Sequence, residues 1–408
     1  MRSLGILAVV ATIFFLVGGI WFFFFRSPAP TEISTDTATG SFPVGFTQTV
    51  GVNTPDNPTP NAPLETQASV NTTANRIFKV GDGPIAAATI IQTLRPTTTV
   101  ARYVRQDNGH VFDIPLDSPG ALPRSISNTT IPGIARVLWG QGGNAALLQY
   151  LDNNIVKTVY LGFPSDTQAT TTRVAIRFLP DGIQDIAISP DGNSVAYTLK
   201  AASGVTGYVA QIDGLASKQM FSLPITAALV TWPSQKNLVV QSKSAVGAPG
   251  IAFSVNLSNG SVVPLLYATG LTVTADPKFS YLVYQTTANG IPTTYTRQVG
   301  SGKTSYLSYD PYPEKCIWGL ATSTYLYCAT PLAYTEPNYL DFWHRGVSPA
   351  FDSIVVFDVA TGNDAIIATP GGDEGGADSA IESMAISRDN TYLLFIRRGD
   401  YSLWGLRI

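Results

Sequence analysis

The feature that most constrains this chain is a hairpin that returns at nearly constant spacing. Its clearest copy, "IQDIAISPDGNSVAYTLK" (residues 183–200), is an alternating apolar run, a Ser-Pro-Asp-Gly turn and a second apolar run. Aligned on Ser189, the pattern recurs without gaps with Gly140, Asp276, Gly319 and Ser387 in that place, and with one residue deleted around Pro233. Successive anchor positions lie 49, 44, 43, 43 and 68 residues apart. Most copies are followed by a third alternating strand, such as "GYVAQIDG" (207–214) or "DSIVVFDVATG" (352–362). A period in the forties with three or four strands per unit is the mark of propeller blades.

One further unit lies upstream. "IAAATIIQTL" (85–94), "TVARYVRQD" (99–107), "HVFDIPLD" (110–117) and "RSISNTT" (124–130) supply its four strands and bring the total to seven. The last copy ends at Ile408 after its third strand, and the segment "RIFKV" (76–80) precedes the first blade. Pairing these two ends completes the last blade, closes the ring and removes an exposed strand edge. A single blade cannot bury both of its faces, so the units form one domain although the length alone suggests two or three. An array of immunoglobulin-like sandwiches would share the turn signals without this repeated strand order.

The "SPDG" turn (189–192) and its partial copy "SRDN" (387–390), set between alternating strands, resemble the repeat of TolB-like and WD-repeat-like bacterial β-propellers. The resemblance covers residues 76–408 and implies the fold, since propellers host many unrelated functions. The Gly-His and Trp-Asp signatures of eukaryotic WD repeats are absent.

Composition agrees with an all-β chain. Charged residues are only 13% of the sequence, and Gly (36) and Pro (28) are plentiful, which suits short strands and turns better than helices with solvated faces. A net charge of −3 leaves no basic footprint for nucleic acid.

The amino terminus has a different character. Residues 4–25 carry no charge and end in Trp21 and four phenylalanines before Arg26. As a helix this run measures about 33 Å, enough to cross a bilayer core. A cleaved signal peptide would show a shorter apolar region and a small-residue cleavage site. An uncleaved anchor over 1–26 is therefore expected. Residues 27–75 contain no Lys or Arg and many Thr and Pro, as in "NTPDNPTPNAP". Such a segment buries too little apolar surface to offset its chain entropy and reads as a disordered stalk. Lacking positive charge, it is easy to translocate, so the propeller (76–408) is expected on the extracytoplasmic side of a cytoplasmic membrane.

Cys316 and Cys328 fall on the first two strands of the sixth unit, symmetric about Thr322 in the turn between them. In a hairpin folded there they face one another, at the short end of the disulfide range. A cross-strand disulfide and two buried thiols are the alternatives, and an oxidising location favours the bond. No third or fourth Cys or His ligand lies close in sequence, so no metal site is expected.

The 68-residue offset places an insertion, "PLAYTEPNYLDFWHRGVSPA" (331–350), between the second and third strands of blade six, on the face opposite the Ser-Pro-Asp-Gly turns. It gathers Tyr334, Tyr339, Phe342, Trp343, His344 and Arg345, the residue types that dominate binding energy at interfaces. These residues are candidates for a binding surface, and the alternative is that Phe342 and Trp343 pin the loop to neighbouring blades. Catalytic signatures are missing. Only His110 and His344 are present, His110 follows a "DNG" turn where a surface or capping role is expected, and no serine stands in a G-x-S-x-G elbow. "GGDEGGADS" (371–379) is Gly-rich but acidic, lacks the lysine of a phosphate loop and reads as a plain loop. No catalytic residue and no cofactor is assigned.

Three functions follow as expectations. The first is non-catalytic binding of an envelope protein, peptide or polysaccharide. The second is a hydrolase or lyase acting on an extracellular polymer through carboxylates in the channel. The third is a structural part of a larger envelope assembly.

Overall fold

The computed structural model describes residues 76–94, 97–118, 120–163, 174–331, 338–347, 351–370 and 380–408. The expected anchor and stalk, Tyr334 and the 371–379 loop lie outside the described residues.

Seven antiparallel four-stranded sheets follow one another along the chain. Blade 1 is Ile85–Leu94, Thr97–Arg105, Val111–Pro115 and Arg124–Ser127, and blade 2 is Ile134–Gly140, Ala145–Asp152, Ile155–Gly162 and Ala175–Phe178. Blade 3 runs Ile183–Ile188, Ser194–Ala201, Gly204–Gln211 and Lys218–Leu223. Blade 4 runs Ala228–Ser234, Asn237–Ser242, Pro249–Asn256 and Val262–Thr269. Blade 5 is Thr272–Ala275, Tyr281–Ala288, Ile291–Gln298 and Thr304–Tyr306, and blade 6 is Cys316–Trp318, Tyr325–Pro331, Asp352–Asp358 and Asn363–Ala368. Blade 7 takes Ile381–Ile386, Tyr392–Arg397 and Leu403–Arg407 from the end of the chain, and its outer strand, Ile77–Gly81, from before blade 1. The ring is therefore closed by the pairing that the two orphan ends suggested. In the clasp Phe78 pairs with Gly405, and the Phe78 ring covers the site where a side chain on Gly405 would stand, 2.5 Å from its Cβ position.

Burial explains why these sequences make these strands. First strands of successive blades touch one another around the ring, with the short 3-10 turn Pro313–Lys315 bridging blades 5 and 6. Second strands sit between two neighbouring blades, so both faces are covered and the sequence is apolar without strict alternation. Every residue of Tyr325–Pro331 after the first is buried. Outer strands face solvent, and Ala175–Phe178 is exposed throughout.

The core is divided among the junctions. Seven apolar clusters each combine residues of two adjacent blades, one cluster for each junction. The cluster between blades 7 and 1 joins Val80, Leu394, Ile396 and Leu403 to Ile85 and Ala101. Each fully buried aliphatic side chain contributes about 1.5–3 kcal/mol, so the closure is held by a core as well as by strand pairing.

The anchor position of the repeat has a structural job. The backbone N–H of Ser189, Asp276, Gly319 and Ser387 donates across the hairpin turn to Ser194, Tyr281, Tyr325 and Tyr392 respectively. Where the anchor has a polar side chain, it also caps the turn. Ser189 Oγ accepts Ser194 N–H at 2.9 Å, Ser387 Oγ accepts Tyr392 N–H at 2.9 Å, and Asp276 Oδ1 accepts Tyr281 N–H at 2.5 Å. The "SPDG" glycine, Gly192, has φ 76° and lies so close to blade 2 that a Cβ would come within 2.3 Å of Gln141 N. Glycine is required there on both counts.

Cys316 and Cys328 are directly paired in the blade 6 register and form a disulfide with a Cα–Cα distance of 4.1 Å. It locks the first strand of that blade to the second.

Candidate binding surface

The described part of the insertion, residues 338–347, folds as a short helix, Tyr339–His344, entered through Asn338 in the left-handed conformation (φ 69°). Its sequence is two-sided. Tyr339, Leu340 and Trp343 lie at i, i+1 and i+4 and are buried, while Arg345, Gly346 and Val347 after it are exposed.

The buried side has its own small core with Tyr312, Ala380 and Val246. The Tyr339 ring stacks on Tyr312 with centroids 5.2 Å apart. Burial raises the Tyr312 hydroxyl far above the usual tyrosine range, so it stays protonated. Trp343 is 7% exposed, with the Lys315 ammonium 3.9 Å and the Arg398 guanidinium 3.5 Å from its ring centroid. Arg398 also donates to the Trp343 carbonyl at 3.4 Å and pairs with Glu382 at 2.6 Å.

Polar contacts tie the same helix to distant blades. The Asp341 carboxylate accepts Val246 N–H of blade 4 at 3.0 Å, and Asn338 N–H donates to Gly290 O of blade 5 at 3.4 Å. His344 Nε2 lies 2.9 Å from Glu314 Oε2, whose other oxygen accepts from Ser244 Oγ at 3.3 Å. The helix thus touches blades 4, 5 and 7 and the lead-in to blade 6. Blades 4 and 7 are three steps apart on a ring of seven, so an element held by both lies across the mouth of the central channel.

Beneath it, Lys315 and Asp352 form an ion pair at 2.5 Å with side chains 2% and 0% exposed. Asp352 Oδ2 also accepts Ile381 N–H at 2.7 Å, stapling blade 6 to blade 7. Burial lowers the Lys315 pKa below the ordinary lysine value, and Asp352 opposes that shift.

The sequence candidates therefore divide. Tyr339 and Trp343 occupy packing positions, Phe342 is half-buried, Arg345 is exposed, and His344 is engaged by Glu314. Residues that sequence reasoning did not single out complete the site. Lys315, Asp352, Glu314 and Arg398 bolt the helix down, and Ile291 (63% exposed), Val347 (59%) and Phe351 (62%) present apolar side chains on the same face. The charged pair Glu314–Lys315, set just before an apolar strand, was the available signal for the first group. At the turn before His110 the cap is Asn108, whose Oδ1 accepts the His110 backbone N–H at 2.9 Å, while the half-buried His110 ring lies 3.1 Å from Thr130 Oγ1.

Among the described residues, no three His, Cys, Asp or Glu side chains converge as a metal site would require. Among the described residues, four acids near the helix are committed. Glu314 faces His344, Asp352 faces Lys315, Glu382 faces Arg398, and Asp341 caps Val246.

No family model and no curated protein matches the chain. Solved structures resemble it in fold. The β-propeller domain of Cps50 (Swd1) from Myceliophteria thermophila is 11% identical over 81% of this chain and 99% of that one, with a TM-score of 0.50. Hydrazine synthase of Kuenenia stuttgartiensis is 12% identical over 81% and 97%, with a TM-score of 0.49. The tricorn protease is 8% identical with a TM-score of 0.49, and this chain spans about a third (34%) of its length. The class of protein so defined is a seven-bladed β-propeller, and at these identities the likeness concerns the fold alone.

Proposed function

We propose that this protein is a membrane-anchored, extracytoplasmic propeller that binds an envelope protein, peptide or polysaccharide without catalysing a reaction. The propeller is of the TolB-like, WD-repeat-like kind that its turns resemble. The uncharged run 4–25 and the cation-free stalk support the anchor and its orientation.

One observation carries the binding reading. The inserted helix is fastened to the ring through Trp343, Tyr339 and Asp341, while its continuation, Arg345 and Val347, is exposed, as are Ile291 and Phe351 in the corresponding loops of blades 5 and 6. A surface immobilised before its partner arrives loses little entropy on binding, and aromatic and aliphatic groups with an Arg supply the affinity. The polymer-cleaving alternative needs free carboxylates at the channel, whereas among the described residues Asp352, Glu314, Glu382 and Asp341 are paired with cations or backbone N–H groups.

The test is affinity capture from detergent-solubilised membranes with the full chain and with R345A/F351A. The double variant should keep its melting temperature and lose the specific partner. Retention of the same partner by the variant, or capture of none by the parent chain, would overturn the assignment.

A further inference from the structure

Three side chains of the helix across the channel mouth are seated on one short stretch of chain. Tyr339 stacks on Tyr312, His344 meets Glu314 at 2.9 Å, and the Trp343 ring centroid lies 3.9 Å from the Lys315 ammonium. Residues 312–315 are thus the seat, and they run directly into Cys316. The Pro313–Lys315 turn closes with Cys316 N–H donating to Pro313 O, and Cys316 then opens the first strand of blade 6.

That strand is weakly held. With three residues, Cys316–Trp318, it is the shortest first strand of the ring. A Cα–Cα distance of 4.1 Å marks Cys316 and Cys328 as a pair that exchanges no backbone hydrogen bonds. At the end of the ladder nearest the seat, the tie to the second strand is therefore the S–S bond. The second strand does not depend on that tie, because it also pairs along its whole length with Asp352–Asp358. Cutting the bond releases the seat and leaves the rest of the blade framed.

We propose that the Cys316–Cys328 disulfide is a redox latch whose reduction by a dithiol unseats the helix and opens the channel mouth. Cys316 is half-buried and Cys328 fully buried, so the incoming thiolate attacks the Cys316 sulfur. The S–S bond breaks, Cys328 leaves as a thiolate that takes up a proton, and a mixed disulfide forms on Cys316. The second thiol of the dithiol then displaces Cys316, which is released as a thiol while the reductant departs as a cyclic disulfide. The chain has two cysteines, so neither thiol finds another partner within it and reoxidation restores the same latch. The seat changes with the redox state whether or not the surface binds a partner.

The test is hydrogen–deuterium exchange by mass spectrometry on the full chain in detergent, before and after dithiothreitol, with alkylation counting the thiols. Peptides covering 338–347 should exchange at least about tenfold faster after reduction, while those covering Ala145–Asp152 and Ser194–Ala201 keep their protection. C316S/C328S should show the reduced pattern without dithiothreitol, and reoxidation of the parent chain should restore slow exchange. Unchanged exchange in 338–347 once both thiols are alkylated would overturn the proposal. Equal acceleration in every blade would also overturn it, by making the bond a plain structural brace, as would a disulfide that resists dithiothreitol while the ring stays folded.

Discussion

Replacing Lys315 by Met should destabilise the ring far more than the loss of one surface charge would. At 2.5 Å and an effective dielectric of about 20, the attraction between Lys315 and Asp352 is ~7 kcal/mol. Dehydrating two ions costs several kcal/mol each, so the intact pair contributes little net stability. Removing only the cation leaves the Asp352 carboxylate buried at 0% exposure with Ile381 N–H as its remaining hydrogen-bond donor among the described residues. The expected loss is about 3–5 kcal/mol. K315M/D352N removes the stranded charge and keeps an oxygen for Ile381 N–H, so at least about 2 kcal/mol of that loss should return. Urea unfolding followed by tryptophan fluorescence and far-ultraviolet circular dichroism measures both variants. The reasoning fails if K315M stays within about 1 kcal/mol of the parent chain, or if the double variant is no better than the single.

Three further predictions concern other parts of the ring. C316A/C328A removes a cross-link spanning 12 residues and should lower unfolding stability by about 3 kcal/mol, while the parent chain alkylated without reductant should show no modified cysteine by mass spectrometry. The Ser189 and Ser387 hydroxyls hold the Asp191 and Asp389 carboxyls below their usual pKa, so that stability is complete above the unfolded value of about 3.9 and is lost as pH falls through the lower folded value. D191N/D389N should therefore flatten the acid limb of the stability curve, read from urea midpoints between about pH 5 and about pH 3. Deleting residues 76–81 uncovers the edge of Leu403–Arg407 and should convert a monodisperse protein into self-associating species in light scattering after size exclusion.

Much of the fold was legible because the repeat's anchor is a position with one physical task. Ser189, Asp276 and Ser387 close the same hairpin bond to the fifth residue on, and Gly319 closes its counterpart one residue longer, so aligning on them aligned the blades. The cysteine pair was legible for a similar reason, since a hairpin centred on Thr322 puts 316 opposite 328. The site was only half legible. The 68-residue offset located the insertion, and its aromatic content marked it as special, but composition does not say which side of a six-residue helix faces inward. That was decided by partners far away in sequence, namely Val246, Tyr312, Lys315 and Arg398, which converge only when the ring closes. Trp343 belongs to packing because two cations from the blade 6 lead-in and blade 7 meet at its ring, and no local pattern announces such a meeting.

The clasp has one more consequence. Arg407 N–H donates to Arg76 O at 2.9 Å, and Arg76 Nε donates to Arg407 O at 3.2 Å, so the first described residue of the ring is hydrogen-bonded to the residue before the last. The ring consequently has no privileged starting blade. A gene rearranged to join residue 408 to residue 76 through a few glycines, and opened instead in an exposed turn such as 153–154, should yield a circular permutant with the same seven sheets.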